Sequence, residues 1–284
     1  MLHVRTRLLI ALENIFGIIK RKKVRKNILD KTFILVDGTF RDSADYDDAW
    51  LIALSLESKN VFDVGCNIGQ STILLLLNSN VDNILLIDPN PSALSICAEN
   101  LIFNNLSHKA RFVCAFASDK DDKLIDFFTT GIGAAGSMFK LHAVTASNIG
   151  TSLRVPTVSL DSLFKQYGIL PDLVKIDVEG AEGLVLDGAK EIAKQHKTRF
   201  FVEMHSSPEL TMDYNATKII EWCSSLCYQP WYLKEKIKLK EPHQIAKRGR
   251  CHLLLLPIET PFPICLNSIE QGDSIQKIKE LYMR

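Results

Sequence analysis

The chain has no apolar stretch long enough to cross a membrane. A transmembrane helix needs about 18 or more apolar residues in succession, and no run in these 284 residues reaches that length. Residues 8–19 resemble the apolar core of a secretion signal, but Glu13 and Asn14 interrupt them and no small-residue cleavage site follows. The sequence therefore predicts a protein that is not exported and that has a cytoplasmic location.

The chain also lacks a strong excess of either charge and lacks closely paired cysteines. Its 34 basic and 33 acidic residues leave a formal net charge of +1, so no overall field favours nucleic acid or an anionic membrane. Its seven cysteines are an odd number without C-x-x-C spacing, which is typical of reduced thiols in a cytosolic protein. A length of 284 residues suits one large α/β domain or two small ones.

A glycine is missing from the stretch around which the chain is organised, residues 61–72 (VFDVGCNIGQST). An apolar run there ends at Asp63, glycines follow at Gly65 and Gly69, and an apolar helical run begins at once. This order predicts a strand, a tight turn and a helix, the first unit of a doubly wound sheet. Asn67 stands where the dinucleotide-binding fingerprint has its second glycine.

The acid and the missing glycine discriminate between ligands. A pyrophosphate binds bare N–H groups at the start of a helix, and the carboxylate of Asp63 would repel it. An acid beside the turn suits a ligand with a cationic end, such as the amino acid part of S-adenosylmethionine. The residues therefore favour that cofactor over NAD, although an ordinary buried strand and turn would also account for this stretch alone.

Polar side chains also follow the next two predicted strands. Asp88 ends the strand at 83–87, where it can accept hydrogen bonds from both hydroxyls of a ribose. Ser118 and Asp119 follow the strand at 111–115, where an adenine edge would be read. These side chains predict the ribose and adenine parts of a cofactor site.

Two later strands end in titratable groups as well. Asp177 and Glu179 follow an apolar strand that starts near residue 173, and Glu203 and His205 end the strand that starts at residue 199. Ligands of open α/β sheets bind outside the carboxyl ends of the strands. One polar strand end is ordinary, whereas four of them indicate a ligand.

The N-terminal residues are predicted to form a separate part of the chain. Residues 4–19 have helical apolar spacing and a basic block follows at 20–26. The helix could lie on an anionic membrane surface, but packing on the domain or a partner, with a solvated basic tether, is the favoured interpretation. We therefore predict a helix and tether at 1–31 and one domain at 32–284.

Two helix starts are predicted from capping residues. Asp45 or Ser43 can cap a helix that runs to about Glu57, and Asp161 can cap a short helix that ends at Tyr167. A single helix is predicted at about 182–196. Two further segments, 131–146 and 234–249, are expected to shape the pocket of the acceptor.

Three motifs resemble those of the FkbM-type S-adenosylmethionine-dependent methyltransferases. They are residues 63–69 (DVGCNIG), the pair Asp88-Pro89 and residues 174–182 (VKIDVEGAE). The third is the specific one, because many methyltransferases share D-x-G-x-x-x-G. Residues 158–163 (VSLDSL) and 201–205 (FVEMH) support the resemblance, which covers roughly residues 40–257.

The resemblance implies a class I methyltransferase fold of the Rossmann-like α/β class. Its sheet has seven mostly parallel strands with an antiparallel last strand, and helices on both faces. The implied activity is O-methylation of a hydroxyl on a sugar, a glycan or another natural product. The family's acid after the second strand is often Glu, one methylene longer than Asp88. The cofactor is expected to contact Asp63, Gly65, Asn67, Gly69, Asp88, Ser118, Asp119 and Asp177.

Methyl transfer to an alcohol calls for a base at the sheet edge, since an alcohol is a poor nucleophile until its proton is being removed. His205 is the first candidate because histidine titrates near neutral pH, and Asp177 and Glu203 are the next. A histidine that only caps a loop is the competing interpretation. A divalent metal held by Asp177, Glu203 and His205 is a less favoured alternative.

The carboxylates at this edge also need counter-charges. Burial and mutual repulsion raise the pKa values of grouped carboxyls unless cations lie nearby. The acids are Asp177, Glu179, Glu182 and Glu203, and the available cations are Lys140, His142, Lys175 and His205. Strand alternation could turn Lys175 away from the others.

Two other classes of function remain open at this point. A non-catalytic adenosylmethionine-binding protein would keep the first motif, and an NAD-dependent oxidoreductase would share the fold but is less compatible with Asp63 and Asn67. The expected partner is a small-molecule or glycan acceptor rather than nucleic acid. Residues 4–26 could contact a membrane or a partner, and nothing in the sequence indicates an oligomeric state.

Overall fold

The structure is a computed structural model that describes residues 21–43, 45–129, 152–207 and 209–282. The helix predicted at 4–19 and the loop predicted at 131–146, with Lys140 and His142, lie outside these ranges. Among the described residues no helix is both long enough and apolar enough to cross a membrane.

The described residues form these elements. The strands are β1 (Lys23–Ile28), β2 (Lys31–Val36), β3 (Asn60–Val64), β4 (Asn83–Ile87), β5 (Ala110–Val113), β6 (Phe116–Ala117), β7 (Leu124–Phe128), β8 (Ser152–Val158), β9 (Leu173–Ile176), β10 (Arg199–Met204), β11 (Tyr228–Tyr232), β12 (Ile237–Lys238) and β13 (Cys251–Pro257). The helices are α1 (Asp48–Ser55), α2 (Gln70–Leu75), α3 (Pro91–Phe103), α4 (Leu160–Tyr167), α5 (Glu182–Asp187), α6 (Lys190–Ala193), α7 (Met212–Ser225), α8 (Pro242–Ala246) and α9 (Ile275–Tyr282).

The central sheet has the strand order β12-β11-β13-β10-β9-β3-β4-β5. Strands β10, β9, β3, β4 and β5 run parallel to one another, whereas β13 is antiparallel to both β10 and β11. The predicted α/β fold with an antiparallel last strand is therefore confirmed. The two-residue strand β12 extends the predicted seven strands by a short edge.

Helices cover both faces of this sheet. Neighbouring strand residues point to opposite faces, and Phe200 and Phe201 accordingly pack into two different apolar clusters. The Phe201 cluster contains side chains from α1 and α2, and the Phe200 cluster contains side chains from α5 and α7. Because the central strands are buried on both sides, they read as continuous apolar runs in the sequence.

The first described residues are a strand rather than a free tether. Strand β1 pairs antiparallel with β2, and Ile28 is buried in the core. Most of the basic side chains are paired at the protein's own surface: Arg21 with Glu99, Lys22 with Asp37, Lys26 with Asp42, and Lys23 over the ring of Phe103. The division of the chain at residue 31 stays a prediction, but such a cut would remove β1.

Two helix starts differ from the prediction. Helix α1 begins after Asp47, whose side chain makes no capping hydrogen bond, and not after Ser43 or Asp45. Ser159, not Asp161, caps α4, since its hydroxyl accepts the N–H of Ser162. Asp161 instead accepts the N–H groups of Glu191 and Ile192 at 2.9 Å each, and so serves the start of α6. Sequence spacing alone cannot reveal a cap that is supplied by another element.

The helix predicted at 182–196 is divided into α5 and α6. Gly188 lies at the break, and a Cβ there would come within 2.1 Å of the carbonyl oxygen of Ser118. The chain needs this glycine because the helix end packs directly on the backbone that follows β6. Both short helices remain on the Phe200 face of the sheet.

The C-terminal residues, which the resemblance leaves out, belong to the core. Helix α9 packs against α1, and Ile278 is fully buried in the same cluster as Trp50. The backbone N–H of Gly272 donates to the carbonyl of Tyr46 at 3.1 Å. C-terminal residues thus hold the segment that precedes α1 in position.

Candidate functional site

The glycines of the first motif are required by close contacts between backbones. Gly65 has a φ of +77°, and a Cβ there would lie 1.9 Å from the carbonyl oxygen of Asp177. Gly69 has a φ of +90°, and its Cβ would lie 2.6 Å from the sulfur of Cys97. The loop after β3 therefore rests directly on the loop after β9. Asn67 is also left-handed, with a φ of +47°, which asparagine tolerates better than most residues.

Asp63 is sealed beneath this loop. Its side chain is fully buried, and one carboxylate oxygen accepts hydrogen bonds from the hydroxyls of Ser71 (2.9 Å) and Thr72 (2.8 Å). The other oxygen lies 3.5 Å from Nζ of Lys175. Asp63 thus ties the start of α2 to β3, and it does not line the described clefts at the sheet edge.

Lys175 is the cation under the glycine loop. Its ammonium group donates to the carbonyl of Gly65 at 2.9 Å and lies 3.4 Å from Asp177. Burial alone would lower the pKa of Lys175, but the carboxylates of Asp177 and Asp63 outweigh it and raise the pKa. Lys175 is therefore charged and compensates these acids, although alternation along the strand suggested that it could point away.

A first cleft runs along the ends of β3 and β4. Gly65, Asn67 and Asp88 line one end of it, and residues 115–117 with Phe127 line the other. The carboxylate of Asp88 accepts the N–H groups of Asn67 (2.9 Å) and Asn90 (2.8 Å). Burial raises the pKa of Asp88 to about 6, against the effect of these two hydrogen bonds. The structure thus brings together two of the predicted cofactor-binding residues, Asp88 and Asn67.

Ser118 and Asp119 do not reach this cleft. Ser118 is buried and donates its hydroxyl to Asp119 at 3.1 Å, and Asp119 is exposed. The end of the cleft is formed instead by the small and apolar residues 115–117 and by Phe127. The sequence prediction did not include strand β6 at 116–117, which pairs with β8. The two residues that follow this strand therefore lie outside the cleft.

A group of carboxylates surrounds His205 at the ends of β9 and β10. Nδ1 of His205 lies 3.1 Å from Glu182 and 3.9 Å from Asp177, and Nε2 lies 3.5 Å from Glu203 and 3.7 Å from Glu179. Only 6% of the His205 side chain is exposed. The predicted acids and their histidine are thus brought together, with Glu182 as the nearest partner.

These neighbouring carboxylates determine the charge of His205. Burial would lower its pKa, but the hydrogen bond and charge of Glu182, followed by the charges of Asp177 and Glu179, raise the pKa to about 9. The imidazole therefore carries a proton at neutral pH. A protonated imidazole cannot accept a second proton, so its position suits charge compensation better than general base catalysis.

Glu203 has a further partner that the sequence did not indicate. Nε of Arg250 donates to its carboxylate at 2.5 Å, and Nε2 of His252 lies 3.7 Å away. Burial raises the pKa of Glu203, but His252, His205 and Arg250 outweigh it and hold the pKa well below the usual range. Arg250 arrives through the pairing of β13 with β10, in which Cys251 faces Met204.

Two sets of possible metal ligands meet at Glu203. Within each set, Asp177–Glu203–His205 and Asp47–Glu203–His252, ligand atoms lie within 4.8 Å of one another. The predicted alternative metal set is therefore close in space. However, Arg250 makes a short ion pair with Glu203, and a guanidinium at this carboxylate competes with a divalent cation. The donor groups present fit a compensated ionic cluster better than a metal centre.

A second cleft adjoins the first at Gly65, Asn67, Asp177 and Glu179. Its outer wall is the segment that leads into α1, and its floor includes Lys175, Glu203 and Arg250. Helix α1 begins beside this cleft, since Asp47, Asp48 and Leu51 line it. The backbone of Glu179 has a φ of +54°, a costly conformation for a residue other than glycine, and it directs this residue to the junction of both clefts.

Comparison with known proteins identifies the family. The sequence matches the FkbM methyltransferase domain over residues 63–230, which is more than half of the chain. Comparison with curated protein sequences gives no significant match. The matched span begins at Asp63 and includes the ends of β3, β4, β9 and β10.

Several solved structures are similar at low identity. Methyltransferase FkbM from Methylobacillus flagellatus KT is 15% identical with a TM-score of 0.44, over 70% of this chain and 43% of that protein. M. jannaschii TYW2 in complex with AdoMet is 15% identical with a TM-score of 0.43, over 83% and 85% of the two chains. A putative O-methyltransferase from Klebsiella pneumoniae is 10% identical with a TM-score of 0.43, over 76% and 80%.

This chain therefore spans less than half the length of the Methylobacillus protein. The family assignment depends on the domain match over 63–230, in which the glycine loop and the acids after β9 and β10 are all included. The chain belongs to the FkbM family of S-adenosylmethionine-dependent methyltransferases.

Proposed function

We propose that the chain is an O-methyltransferase that transfers the methyl group of S-adenosylmethionine to a hydroxyl on a sugar, a glycan or a related natural product. The observation that carries this proposal is the meeting of two clefts at Asp177 and Glu179. One cleft has the shape and polar groups for a cofactor, and the other leaves room for an acceptor beside it. A non-catalytic binding protein has no need of the second cleft.

The first cleft fits the cofactor in its unsatisfied polar groups. The side-chain oxygen of Asn67 is buried without a hydrogen-bond partner among the described residues, so it can accept from the ammonium group of adenosylmethionine. Asp88 can accept from the ribose hydroxyls with the lone pairs that its two backbone donors leave. Residues 115–117 and Phe127 form an apolar slot suited to adenine. The bound cofactor supplies an electrophilic methyl group on a sulfonium.

Asp177 is the carboxylate best situated to receive the acceptor's proton. It lines both clefts, its side chain is 29% exposed, and Lys175 holds it from below at 3.4 Å. As the acceptor oxygen gains the methyl group, its O–H becomes strongly acidic, so a carboxylate can take the proton to leave a neutral ether. Much of the acceleration then comes from alignment of the reacting atoms by the cleft walls.

His205 has a different role in this proposal, namely charge compensation. Its proton offsets the charges of Glu182, Asp177 and Glu179 and keeps them in one place. The base role predicted from the sequence would require the imidazole to lose that proton first, which occurs mainly above its pKa of about 9.

A methylation assay tests the proposed function. Asp177→Asn keeps the size of the side chain and removes its basicity, so turnover is expected to fall by about 10²–10⁴-fold. Adenosylmethionine affinity, followed by calorimetry, should change much less. The assay uses the wild-type chain, adenosylmethionine and a panel of sugars and small alcohols, with mass detection of the methyl gain. Tight binding of NAD without any response to adenosylmethionine would reject the proposal.

A further inference from the structure

A third cleft lies beside Arg41. Strand β1, residues 40–43 and the first residues of α9 line it. Arg41 and Asp48 line the second and third clefts alike. The second and third clefts therefore adjoin at these two residues.

Arg41 is held in place where the second and third clefts adjoin. Its guanidinium is paired with Asp45 and lies 3.7 Å from Asp48, and its backbone N–H donates to Gln70 at 3.1 Å. Half of the side chain is exposed. A molecule that extends from the second cleft into the third would pass this guanidinium, which still has exposed surface for hydrogen bonds.

The third cleft differs from the second in its chemistry. Its apolar lining includes Phe40, and its uncharged polar lining includes Asn27, Ser43 and Gln276. Lys26 and Asp42, which also line it, form an ion pair with each other. A wall of this kind suits a sugar ring, which presents an apolar C–H face to an aromatic ring and hydroxyls to neutral donors and acceptors.

The walls of the third cleft come from parts of the chain outside the family match. Strand β1 precedes residue 63 and α9 follows residue 230. Ile28 and Ile278 are buried in one apolar cluster, so both walls belong to the folded core. A rigid subsite built from segments outside the matched domain is where this chain would differ from relatives with the same cofactor site.

We infer that the third cleft is a subsite for a second sugar unit, so that the acceptor is an oligosaccharide or glycoside of at least two units. The unit that is methylated lies in the second cleft, and the next unit passes Arg41 and contacts Phe40 and Gln276. This inference rests on the proposed function for the identity of the second cleft. It adds to the proposed function a minimum length of the acceptor and the residues that bind its second unit.

Binding of neutral sugars to the full chain tests the subsite. The probes are mono- and disaccharides of glucose, mannose, galactose and N-acetylglucosamine, observed by NMR in the presence of S-adenosylhomocysteine. At least one disaccharide should bind about tenfold more tightly than its monosaccharide, the gain expected from one or two added hydrogen bonds. Gln276→Ala should remove most of that gain, whereas Glu280→Ala, one turn further along α9 and exposed, should preserve it.

Two results would overturn the subsite. One is that no disaccharide binds more tightly than its monosaccharide, and the other is that Gln276→Ala keeps the full gain. Phe40→Ala serves as a second variant in the same cleft and should also reduce the gain. Gln276 is exposed, so its replacement leaves the fold intact.

Methyl transfer to the same sugars separates the subsite from the proposed function. Tighter disaccharide binding without any methyl gain would reject the O-methyltransferase proposal and support the subsite. Equal rates of methyl gain on mono- and disaccharides would support the proposed function and reject the subsite.

Discussion

The first and second clefts adjoin at the same sheet edge but are built from different kinds of interaction. The first is formed by close backbone packing around Gly65, an apolar slot at 115–117 and one buried acid, Asp88. The second is crowded with charges that are compensated from other elements. Arg41 lies near Asp48, Lys175 near Asp177, and Arg250 on Glu203.

This difference decides how each cleft responds to change. Backbone packing is local and steric, so a single added methyl group can close the first cleft. Charge compensation is shared among several groups, so removal of one partner changes the pKa values of the others. Substitutions should therefore impair the first cleft mainly by steric clash, whereas the second cleft should respond mainly to changes of pH.

The largest expected effect is steric. Gly65→Ala should lower the free energy of unfolding by about 3 kcal/mol, because it combines a left-handed backbone with a clash against Asp177. Adenosylmethionine binding should weaken at least roughly 100-fold, or about 2.7 kcal/mol. Urea unfolding and calorimetry give the two values.

Gly168→Ala is the matched control for this clash. Gly168 has a φ of +65°, and no described atom would lie within 4 Å of its Cβ. It should cost only about 1–2 kcal/mol of stability and leave cofactor affinity unchanged. Equal effects of the two variants would show that contact with the Asp177 carbonyl does not constrain the glycine loop.

The second effect depends on pH. In the folded protein the pKa of His205 is raised from 6.5 to about 9, so the folded state holds a proton that the unfolded state releases between these values. The stabilisation is present in full below about pH 6.5 and is lost as pH rises through about 9. His205→Gln should be less stable than the wild type by roughly 3 kcal/mol near pH 6, as for removal of one partner from a buried ion pair.

The difference between His205→Gln and the wild type should then narrow toward pH 9.5. Thermal and urea unfolding from pH 6 to 9.5 provide the measurement. A difference that stays constant over this range would mean that the imidazole is not held in its protonated form by Glu182 and its neighbours. In the same range, a wild-type methylation rate that rises through pH 9 would favour His205 as the base over Asp177.

A moderate effect is expected at the ribose end of the first cleft. Asp88→Ala should weaken adenosylmethionine binding by about 1.5–3 kcal/mol, the range for hydrogen bonds to a charged group. Because burial raises the pKa of Asp88 to about 6, wild-type affinity should also fall as pH drops below 6. Asp82→Ala, on the exposed residue before the same strand, is the control, and unchanged affinity in Asp88→Ala would place the ribose elsewhere.

The smallest effect is expected from deletion of the N-terminal residues 1–20, and a longer deletion provides the contrast. Deletion of residues 1–20 keeps strand β1, so the remaining chain should fold and bind adenosylmethionine with unchanged affinity. Deletion of 1–31 also removes β1 and the buried Ile28, and it should lower stability by about 2–5 kcal/mol through the lost core side chain. Aggregation of the shorter deletion would show that residues 1–20 belong to the core.

The sequence was most informative where function depends on local backbone geometry. The order of strand, glycine turn and helix at 61–72 predicted the position of β3 and α2, and the acids after β4, β9 and β10 were predicted to share an edge, as they do. Gly65 and Gly69 could be recognised because positive φ angles and missing space impose glycine at the position itself.

Partners that arrive from distant elements could not be predicted in the same way. Arg250 reaches Glu203 only through the pairing of β13 with β10, and Asp161 caps α6 from the start of α4. The sequence placed His205 among the cations available to these acids, but it did not indicate Glu182 as the nearest partner, at 3.1 Å. Each of these contacts depends on tertiary packing, on which the local pattern of apolar and polar residues carries no information.

The contact between Gly65 and the carbonyl of Asp177 has an evolutionary consequence. The glycine loop and the Lys-Ile-Asp-Val-Glu-Gly segment, more than a hundred residues apart, form one rigid unit held by a backbone contact and by the bond from Lys175 to Gly65. A substitution in either segment alters the space available to the other. In relatives of this chain, the two motifs should therefore diverge together.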